Sequence, residues 1–441
     1  MRSLELSGTA KRAVLAAGLG TMMDYYDFLL AANAAGTVWL TLYFKPAFKI
    51  PSLALSIAIL TYAISYVVRP LGAFIFGHMG DRMGRQSTLV LTLLLAFISM
   101  VGMGATPTYA QIGVYSVILL MLFRLILGLS FGGEWGGGAT WVSELLMANG
   151  VGELGYWGGV YQAFGTAGIA LASLAFSLTS ILMPTGAFYA WGWRMLFYIG
   201  AVVVVVAAII RYRFIESPIF MELARGGKLL RQPAAAVLRR EWGKVLLLAL
   251  SWLYITAVTV VAIIPYSLVY VSEVRGIAYL AGLPSKSFML LAYAASLLTG
   301  GVASTLLSGY LADRVDAGRI LIIGSVATAL MSIAFYPILS TGNPMLIMIG
   351  LEAYMLSEYF GFGSLTKFFT QAFPAEYRYS GSGLAYQFGG LMTGIASGFI
   401  LSPVISAFGY SAWYLVSLLM VAISVTSLVS SIALGRVVRH D

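Results

Sequence analysis

The sequence predicts an all-α integral membrane protein with twelve transmembrane helices arranged as two related six-helix bundles. Three observations lead to this prediction: a strongly apolar composition, apolar stretches long enough to cross a bilayer, and a Gly-x-x-x-Asp-Arg turn that occurs twice. The 441 residues are 60% hydrophobic and only 10% charged, whereas soluble chains carry about 25% charged residues. The composition therefore excludes an ordinary soluble protein.

Twelve apolar segments alternate with short polar gaps along the chain. Most are about 20 to 28 residues long, enough to cross about 30 Å of hydrocarbon with some tilt. The first segment holds Asp24 and Asp27 and has no small-residue cleavage site behind it, so it is expected to stay as a membrane helix. The expected limits are residues 13–44, 53–76, 87–106, 114–141, 156–183, 195–212, 245–271, 285–309, 320–340, 344–372, 382–406 and 411–434.

The repeated turn sets the expected domain organisation. Its two copies, Gly77–Arg85 and Gly309–Arg319, lie roughly half a chain apart between apolar segments. We therefore expect an N-terminal six-helix bundle at 1–212, a basic, Pro-interrupted cytoplasmic linker at 213–244, and a C-terminal six-helix bundle at 245–441. Two related bundles of this kind are typical of secondary transporters.

The distribution of Lys and Arg predicts the orientation. With the N-terminus inside, 18 of these residues fall on the cytoplasmic side, five on the outer side and three within spans. The positive-inside rule then places both termini and the linker in the cytoplasm of a multi-pass plasma-membrane protein. Anionic lipid of the inner leaflet accounts for the net charge of +9 without a nucleic-acid partner.

Catalytic chemistry and bound cofactors are not expected. There is no cysteine, and the two histidines, His78 and His440, are too few and too far apart in sequence to suggest a metal site. The segment Gly128-Leu-Ser130-Phe-Gly132 matches a hydrolase pattern. It lies inside a predicted span without a histidine to act as base. A phosphate-binding Gly-rich loop with lysine is also missing, so we expect neither an enzyme nor an ATP-driven pump.

Charged residues inside the predicted spans are the candidates for function, because each costs about 2.5–3.5 kcal/mol to insert unless it is paired or hydrated. Asp27 and Arg124 fall near mid-membrane by residue count, and Glu134 lies farther along the fourth span. One reading makes these charges structural ion pairs between helices. The other makes them a wet cavity in which a carboxylate exchanges a proton while a cation holds the substrate. The tenth span also carries Glu352, Glu358 and Lys367, for which the sequence suggests no role.

Several motifs in order along the chain carry a family resemblance. They are Tyr26-Asp27-Phe28, Arg69-Pro70-Leu71-Gly72, Arg124 with Gly132-Gly-Glu-Trp-Gly-Gly137, Trp191-Gly-Trp-Arg194, Glu216-Ser-Pro-Ile-Phe220, Phe373-Pro374, Arg378-Tyr-Ser-Gly381 and Tyr386-Gln387. On these residues the chain resembles the major facilitator superfamily. Within that superfamily it is similar to the metabolite:proton symporters, which include carriers of citrate, α-ketoglutarate, shikimate and proline or betaine.

The resemblance implies a substrate site between the two bundles and alternating access by rocking. It also implies a cytoplasmic gate in which the turn residues latch the bundles together. On this basis Asp81, Arg82 and Arg85 are expected near Glu144. The second turn is expected to pair near Glu216 or Glu376 through Asp313, Arg314 and Arg319.

The resulting functional expectation is proton-coupled uptake of a small organic acid by a carrier that we expect to be monomeric. Arg124 is expected to bind the substrate carboxylate, and either Asp27 or Glu134 to carry the proton. Tyr161, Gln162, Tyr386 and Gln387 are the expected polar lining of the site. A sugar carrier and a zwitterion (betaine or proline) carrier remain alternatives, and a membrane enzyme or channel is disfavoured.

Overall fold

The computed structural model describes residues 8–213, 216–258, 265–409 and 411–437, and within them the chain forms twelve long helical segments. The first half of the molecule comprises α1 (Gly8–Ala34, continuing in π-helical turns over Ala35–Phe44), α2 (Pro51–Met83), α3 (Arg85–Ala105), α4 (Tyr115–Ala148), α5 (Leu154–Leu182) and α6 (Trp193–Tyr212, preceded by Thr185–Ala187 and Phe188–Gly192).

The second half comprises α7 to α12. These are α7 (Trp242–Ser251 and Leu253–Val258, resuming at Pro265–Val269 and Tyr270–Val274), α8 (Ser285–Ala312), α9 (Ala317–Ser340), α10 (Pro344–Glu358 and, after a turn, Leu365–Gln371), α11 (Arg378–Ile395, continuing over Ala396–Leu401 and Ser402–Phe408) and α12 (Trp413–Val437). The seventh predicted span, 245–271, lies partly outside the described residues, at 259–264, as does the predicted linker at 214–215.

Each predicted span overlaps one of these twelve helices. In the described part of the chain, nine helices are long and apolar enough to cross a membrane: α2 to α6, α8 to α10, and α12. The other three helices, α1, α7 and α11, do not meet this criterion of length and hydropathy. α1 carries Asp24 and Asp27 in its middle, α7 contains residues outside the described part, and the first turns of α11 are rich in Gly, Ser and Tyr.

Two short helices, Pro218–Arg225 and Pro233–Arg240, lie between α6 and α7. Ser217 caps the first of them by accepting a hydrogen bond from the Phe220 amide. Arg211, in the last turn of α6, is buried, with only 1% of its surface exposed.

A small hairpin is the exception to the predicted all-α structure within the described residues. Its strands, β1 (Tyr279–Leu280) and β2 (Leu283–Pro284), pair antiparallel between α7 and α8. The two turn residues, Ala281 and Gly282, have φ values of 47° and 79°, as a tight two-residue hairpin turn requires.

Glycines let the helices of the two halves approach closely. An added Cβ on Gly136 of α4 would lie 2.5 Å from the Gly383 Cα of α11, and one on Gly159 of α5 would lie 3.0 Å from the Gly309 Cα of α8. Such contacts need residues without side chains at the crossing point. In α4, Gly128 and Gly132 approach the backbone of α2 within the first half, and Gly136, one turn further along, approaches the second half.

Candidate functional site

Away from the repeated turn, three buried ion pairs concentrate charge inside the described part of the first half. In each pair an acid on α1 or α4 meets an arginine on a different helix, so that the pairs tie together α1, α2, α4 and α6. Pairing removes most of the cost of placing these charges at membrane depth. The pairs are Asp24–Arg69, Asp27–Arg124 and Glu134–Arg211.

Asp27 and Arg124 form the most enclosed of these pairs. Arg124 Nη1 donates to Asp27 Oδ2 at 2.6 Å, Nη2 donates to the Tyr62 carbonyl at 3.1 Å, and both side chains are fully buried. Asp27 Oδ1 accepts no hydrogen bond among the described residues. The predicted juxtaposition is present, and the carboxylate keeps one oxygen free for a proton.

Glu134 is paired with Arg211 at 2.5 Å. Its other oxygen accepts a hydrogen bond from Thr92 Oγ1 at 2.9 Å. Arg211 also donates to the carbonyls of Ala16 and Ala17 in α1. Glu134 is therefore held at a junction of α1, α3, α4 and α6, all within the first half.

Asp24 and Arg69 form a pair that the sequence did not predict. Arg69 Nη2 donates to Asp24 Oδ1 at 2.7 Å and Nη1 to Oδ2 at 3.5 Å. The Arg69 guanidinium also lies over the rings of Tyr66, at 4.7 Å, and Phe131, at 5.8 Å. Both charges are visible in the sequence inside predicted spans, but a single sequence does not show which faces of two helices meet.

The expected polar lining in α5 is buried near the contact between the halves. The Tyr161 hydroxyl accepts from Thr21 Oγ1 at 2.6 Å and donates to the Trp135 carbonyl at 3.4 Å. Gln162 Oε1 accepts from Trp135 Nε1 at 3.0 Å, and Gln162 Nε2 donates across the interface to the Phe362 carbonyl at 3.4 Å.

The expected lining in α11 makes the matching contacts from the second half. Gln387 Nε2 donates to the Phe131 carbonyl of α4 at 3.1 Å, and the Tyr386 hydroxyl meets the hydroxyl of Tyr25 in α1. The Tyr386 ring is sandwiched between Trp135, at 3.7 Å, and Trp252, at 4.1 Å. The structure thus brings the predicted lining residues together at a closed, aromatic centre.

The first repeated turn latches the two halves at one end of the molecule, which we call the turn face. Arg85 Nε donates to Glu144 at 3.2 Å, and Arg85 lies 3.3 Å from Asp81. Arg85 Nη2 also donates to the Ala375 carbonyl of the second half at 2.9 Å. Glu144 in turn accepts from Arg378 of the second half at 3.2 Å.

Asp81 does more than pair with Arg85. Its carboxylate accepts hydrogen bonds from the backbone amides of Tyr379, at 3.2 Å, and Ser380, at 2.8 Å. These amides open α11, so Asp81 of the first half caps a helix of the second half, where the helix dipole favours a negative charge.

In the second turn, an aspartate of the second half caps a helix of the first half. Asp313 accepts from the amides of Gly155, at 2.7 Å, and Tyr156, at 2.8 Å, at the start of α5. It is also paired with Lys367 of α10 at 3.0 Å. The expected pairing of Asp313 near Glu216 or Glu376 was wrong, because the carboxylate reaches a helix N-terminus and a lysine instead.

The remaining turn arginines are not in the expected ion pairs. Arg82 is exposed and forms no ion pair within the described part of the chain. Arg314 donates to the Tyr310 carbonyl and lies over the Tyr310 ring. The side chain of Arg319 is exposed as well. These three residues project towards solvent, so only Asp81, Arg85 and Asp313 of the two turns contribute side chains to the latch.

Glu216 contacts the first repeated turn, Gly77–Arg85, and, among the described residues, does not contact the second. It accepts hydrogen bonds from the backbone amides of Arg85, Gln86 and Ser217. Burial raises the pKa of the Glu216 carboxyl above its ordinary value, against the lowering effect of these bonds. Glu376 is partly buried and forms no ion pair among the residues described.

Twelve long helical segments in the described part of the chain, nine of them apolar enough to cross a membrane, form two halves with buried charges near their contact. These features define a multi-pass membrane protein of the transporter class. The Major Facilitator Superfamily model matches residues 18–397. The chain belongs to that superfamily, and it is a transporter rather than an enzyme.

Curated relatives match along nearly the whole chain. The inner membrane metabolite transport protein YhjE of Escherichia coli K12 is 30% identical over 413 residues, covering 91% of this chain and 89% of its own length. The shikimate transporter of the same strain is 29% identical over 418 residues, covering 94% and 92%. The proline/betaine transporter of that strain is 28% identical over 400 residues, covering 88% and 76%.

Solved structures show the same fold. The proton:xylose symporter XylE bound to 6-bromo-6-deoxy-D-glucose has a TM-score of 0.70 and 16% identity, over 97% of this chain and 95% of that one. XylE from Escherichia coli in a partially occluded inward-open conformation has a TM-score of 0.67 and 16% identity, over 98% of both chains. The likeness concerns the fold alone, which is the predicted one.

Proposed function

We propose that this transporter couples the uptake of a small, carboxylate-bearing metabolite to the entry of a proton. The observation that carries the proposal is the fully buried Asp27–Arg124 pair, in which Asp27 keeps one carboxylate oxygen without a hydrogen bond among the described residues. The names of the shikimate and proline/betaine relatives support a solute that carries a carboxylate.

Asp27 is the proposed proton carrier. Protonation removes its charge and weakens its attraction to Arg124, so the rotamers and helices that the pair holds together are free to shift. Glu134 is the second candidate. It is less well suited, because both of its oxygens are already engaged by Arg211 and Thr92.

The turn-face contacts support alternating access. Asp81 and Asp313 each cap a helix of the opposite half, and Glu144 binds an arginine from each half. With these contacts made, the centre is closed on the turn face. Opening that face requires both caps to break together, which is the motion expected when two halves rock about a central site.

The proposed orientation has the turn face in the cytoplasm, in keeping with the Lys and Arg distribution. Because the chain contains no cysteine, single cysteines give a clean test. We expect an impermeant maleimide to label Lys286→Cys in intact cells, and Arg231→Cys only after permeabilisation. Both positions are exposed, and the reverse pattern would invert the assignment.

The function itself is tested by internal pH in proteoliposomes. Carboxylates, betaine, proline and sugars are added in turn without an imposed gradient, and protein-free liposomes correct for passive leak of neutral acids. Acidification inside, seen also with a fully ionised substrate, is the expected result. Net uptake of labelled substrate without any pH change would exclude proton coupling, and flux without saturation or counterflow would indicate a channel.

A zwitterion carrier is the second candidate. It is favoured by a specific observation, because the Asp24–Arg69 pair offers one charge of each sign close to the contact between the halves. A sugar carrier has less support, since the likeness to XylE shows the fold only and the centre of this chain is ionic and aromatic. Competition by sugars and not by acids would favour the sugar carrier.

A further inference from the structure

The Asp24–Arg69 pair packs against residues of the first half that touch the second half. Arg69 lies against Tyr66 and Phe131. The Phe131 carbonyl accepts from Gln387, and the Tyr66 Cβ lies against α11, 3.6 Å from where a Cβ on Gly394 would be. The polar contacts of Arg124, by contrast, are to Asp27 and Tyr62 of its own half.

Asp24, the ion-pair partner of Arg69, lies on α1. It directly precedes Tyr25, whose hydroxyl meets that of Tyr386 and whose ring lies edge-on to Phe362 at 5.8 Å. Both neighbours of Tyr25 belong to the second half. The Asp24–Arg69 pair is therefore beside the surface where the two halves part, which is where a substrate has to bind in an alternating-access carrier.

The guanidinium also retains binding capacity. Arg69 is 6% exposed, and its Nε has no hydrogen-bond partner among the described residues. A substrate carboxylate that displaces Asp24 can therefore be bound by two parallel N–H groups, the geometry in which arginine binds carboxylates best. The rings of Tyr66 and Phe131 lie beside the pair, and aromatic faces suit a cationic group.

We infer that Asp24 and Arg69, and not Arg124, form the charged part of the substrate site, and that this site accepts a small zwitterion. The substrate carboxylate binds Arg69, and its positively charged group binds Asp24 among the surrounding rings. This inference rests on the proposed function and specifies the substrate class of the same central site.

Charge balance favours a zwitterion over a simple anion. A zwitterion exchanges one buried ion pair for two, and leaves no net charge at membrane depth. A monoanion bound to Arg69 would leave the carboxylate of Asp24 without its counter-ion in a medium of low dielectric constant. That state is costly unless Asp24 takes up a proton at the same time.

The test compares substrates of equal shape that differ in one charge. Betaine is matched by 3,3-dimethylbutanoate, in which carbon replaces the quaternary nitrogen, and proline is matched by cyclopentanecarboxylate. Counterflow in proteoliposomes gives KM for each without requiring net proton movement. Wild-type protein is expected to prefer the zwitterion of at least one pair by about tenfold or more.

Asp24→Asn should change the KM of the zwitterion and the KM of its isosteric acid differently. Asp24→Asn should raise KM for the zwitterion about tenfold or more and leave KM for the isosteric acid equal or lower, because Arg69 is no longer engaged. Arg69→Gln should weaken both. Lys286→Gln, which removes an exposed ion pair with Glu273, is the matched control and should change neither.

Equal effects of Asp24→Asn on both members of a pair, or a wild-type preference for the acid, overturn the inference. If either single variant does not yield a monodisperse protein, the double variant Asp24→Asn/Arg69→Gln removes both charges together. Wild-type KM values in that double variant also overturn the inference. Selective net uptake of zwitterions without internal acidification would support this site while excluding proton coupling.

Discussion

The proposed proton coupling depends on a single carboxylate. Asp27 is joined to Arg124 at 2.6 Å, and its second oxygen accepts no hydrogen bond among the described residues. The role of this carboxylate can therefore be tested by removing its charge and leaving the size of the side chain unchanged.

The proton role of Asp27 predicts a specific separation of activities. Asp27→Asn keeps the size of the side chain and the contact with Arg124, but it cannot release a proton. A gradient of one pH unit is worth about 1.4 kcal/mol per proton, so one-to-one coupling to a neutral solute sustains about tenfold accumulation. We expect the variant to lose this accumulation and to retain substrate exchange, measured with labelled substrate in proteoliposomes.

Retained uphill uptake by Asp27→Asn would transfer the proton role to Glu134. The matched variant Glu134→Gln then becomes the informative one, because it should separate uptake from exchange in the same way. If Asp27 is the carrier, Glu134→Gln should lower stability and still accumulate substrate in proportion to the protein that folds.

The Glu134–Arg211 pair makes a prediction about stability. Removing one partner of a buried pair leaves an uncompensated charge and costs about 3–5 kcal/mol, whereas removing both leaves none. We therefore expect Glu134→Gln and Arg211→Gln each to lower the Tm in detergent, and the double variant to be more stable than either. Additive losses in the double variant would mean that the two side chains act independently.

At the element scale, the predicted spans were placed correctly but several were too short on the turn face. The span predicted at 53–76 is the helix Pro51–Met83, and the one at 114–141 is Tyr115–Ala148. Polar residues such as Asp81 and Glu144 read as the ends of membrane segments. They lie inside helices because their charges are satisfied by neighbouring helices and not by water.

The pairing expected for the second turn, near Glu216 or Glu376, was wrong. This turn has two extra residues between Arg314 and Gly318, yet Asp313 caps a helix of the opposite half, as Asp81 does. The lysine that completes its environment, Lys367, comes from α10. The sequence did show that Lys367 lies inside a predicted span, where a lone cation requires an acidic partner.

The paired helix caps predict that either aspartate controls the opening of the turn face. A negative charge at a helix N-terminus is worth about 0.3–2 kcal/mol. Asp313→Asn removes this charge and keeps one acceptor oxygen, so it should favour the open state by about two- to thirtyfold. Ser143 is buried under the latch, bonded to Thr370 of the second half at 3.0 Å. We expect maleimide to label a Ser143→Cys reporter faster by that factor in purified protein.

Asp316→Asn is the matched control for this experiment. Asp316 is exposed and caps α9 of its own half through the Arg319 amide, so its loss should leave the labelling rate of the reporter unchanged. Equal labelling in the Asp313→Asn and Asp316→Asn backgrounds would show that the cap across the halves does not hold the face closed.

At the scale of the whole molecule, the duplicated turn was the most informative feature of the sequence. Its two copies predicted the two related halves, and the structure uses their aspartates in mirrored roles, each capping a helix of the other half. The aromatic centre around Tyr386 was not predicted as a unit. Its three stacked rings come from α4, α7 and α11, and no local pattern links residues so far apart in sequence.

Rocking of the halves predicts that a covalent link across the turn face stops transport. The hydroxyl oxygens of Ser143 and Thr370 lie 3.0 Å apart across the interface, a separation that allows a disulfide after small adjustments. In the cysteine-free chain, we expect Ser143→Cys/Thr370→Cys to lose counterflow when oxidised and to recover it when reduced. Substrate should still bind the oxidised protein, because the link holds only the turn face closed. Wild-type counterflow in fully oxidised protein would contradict rocking about this interface, since the halves cannot then separate where the link joins them.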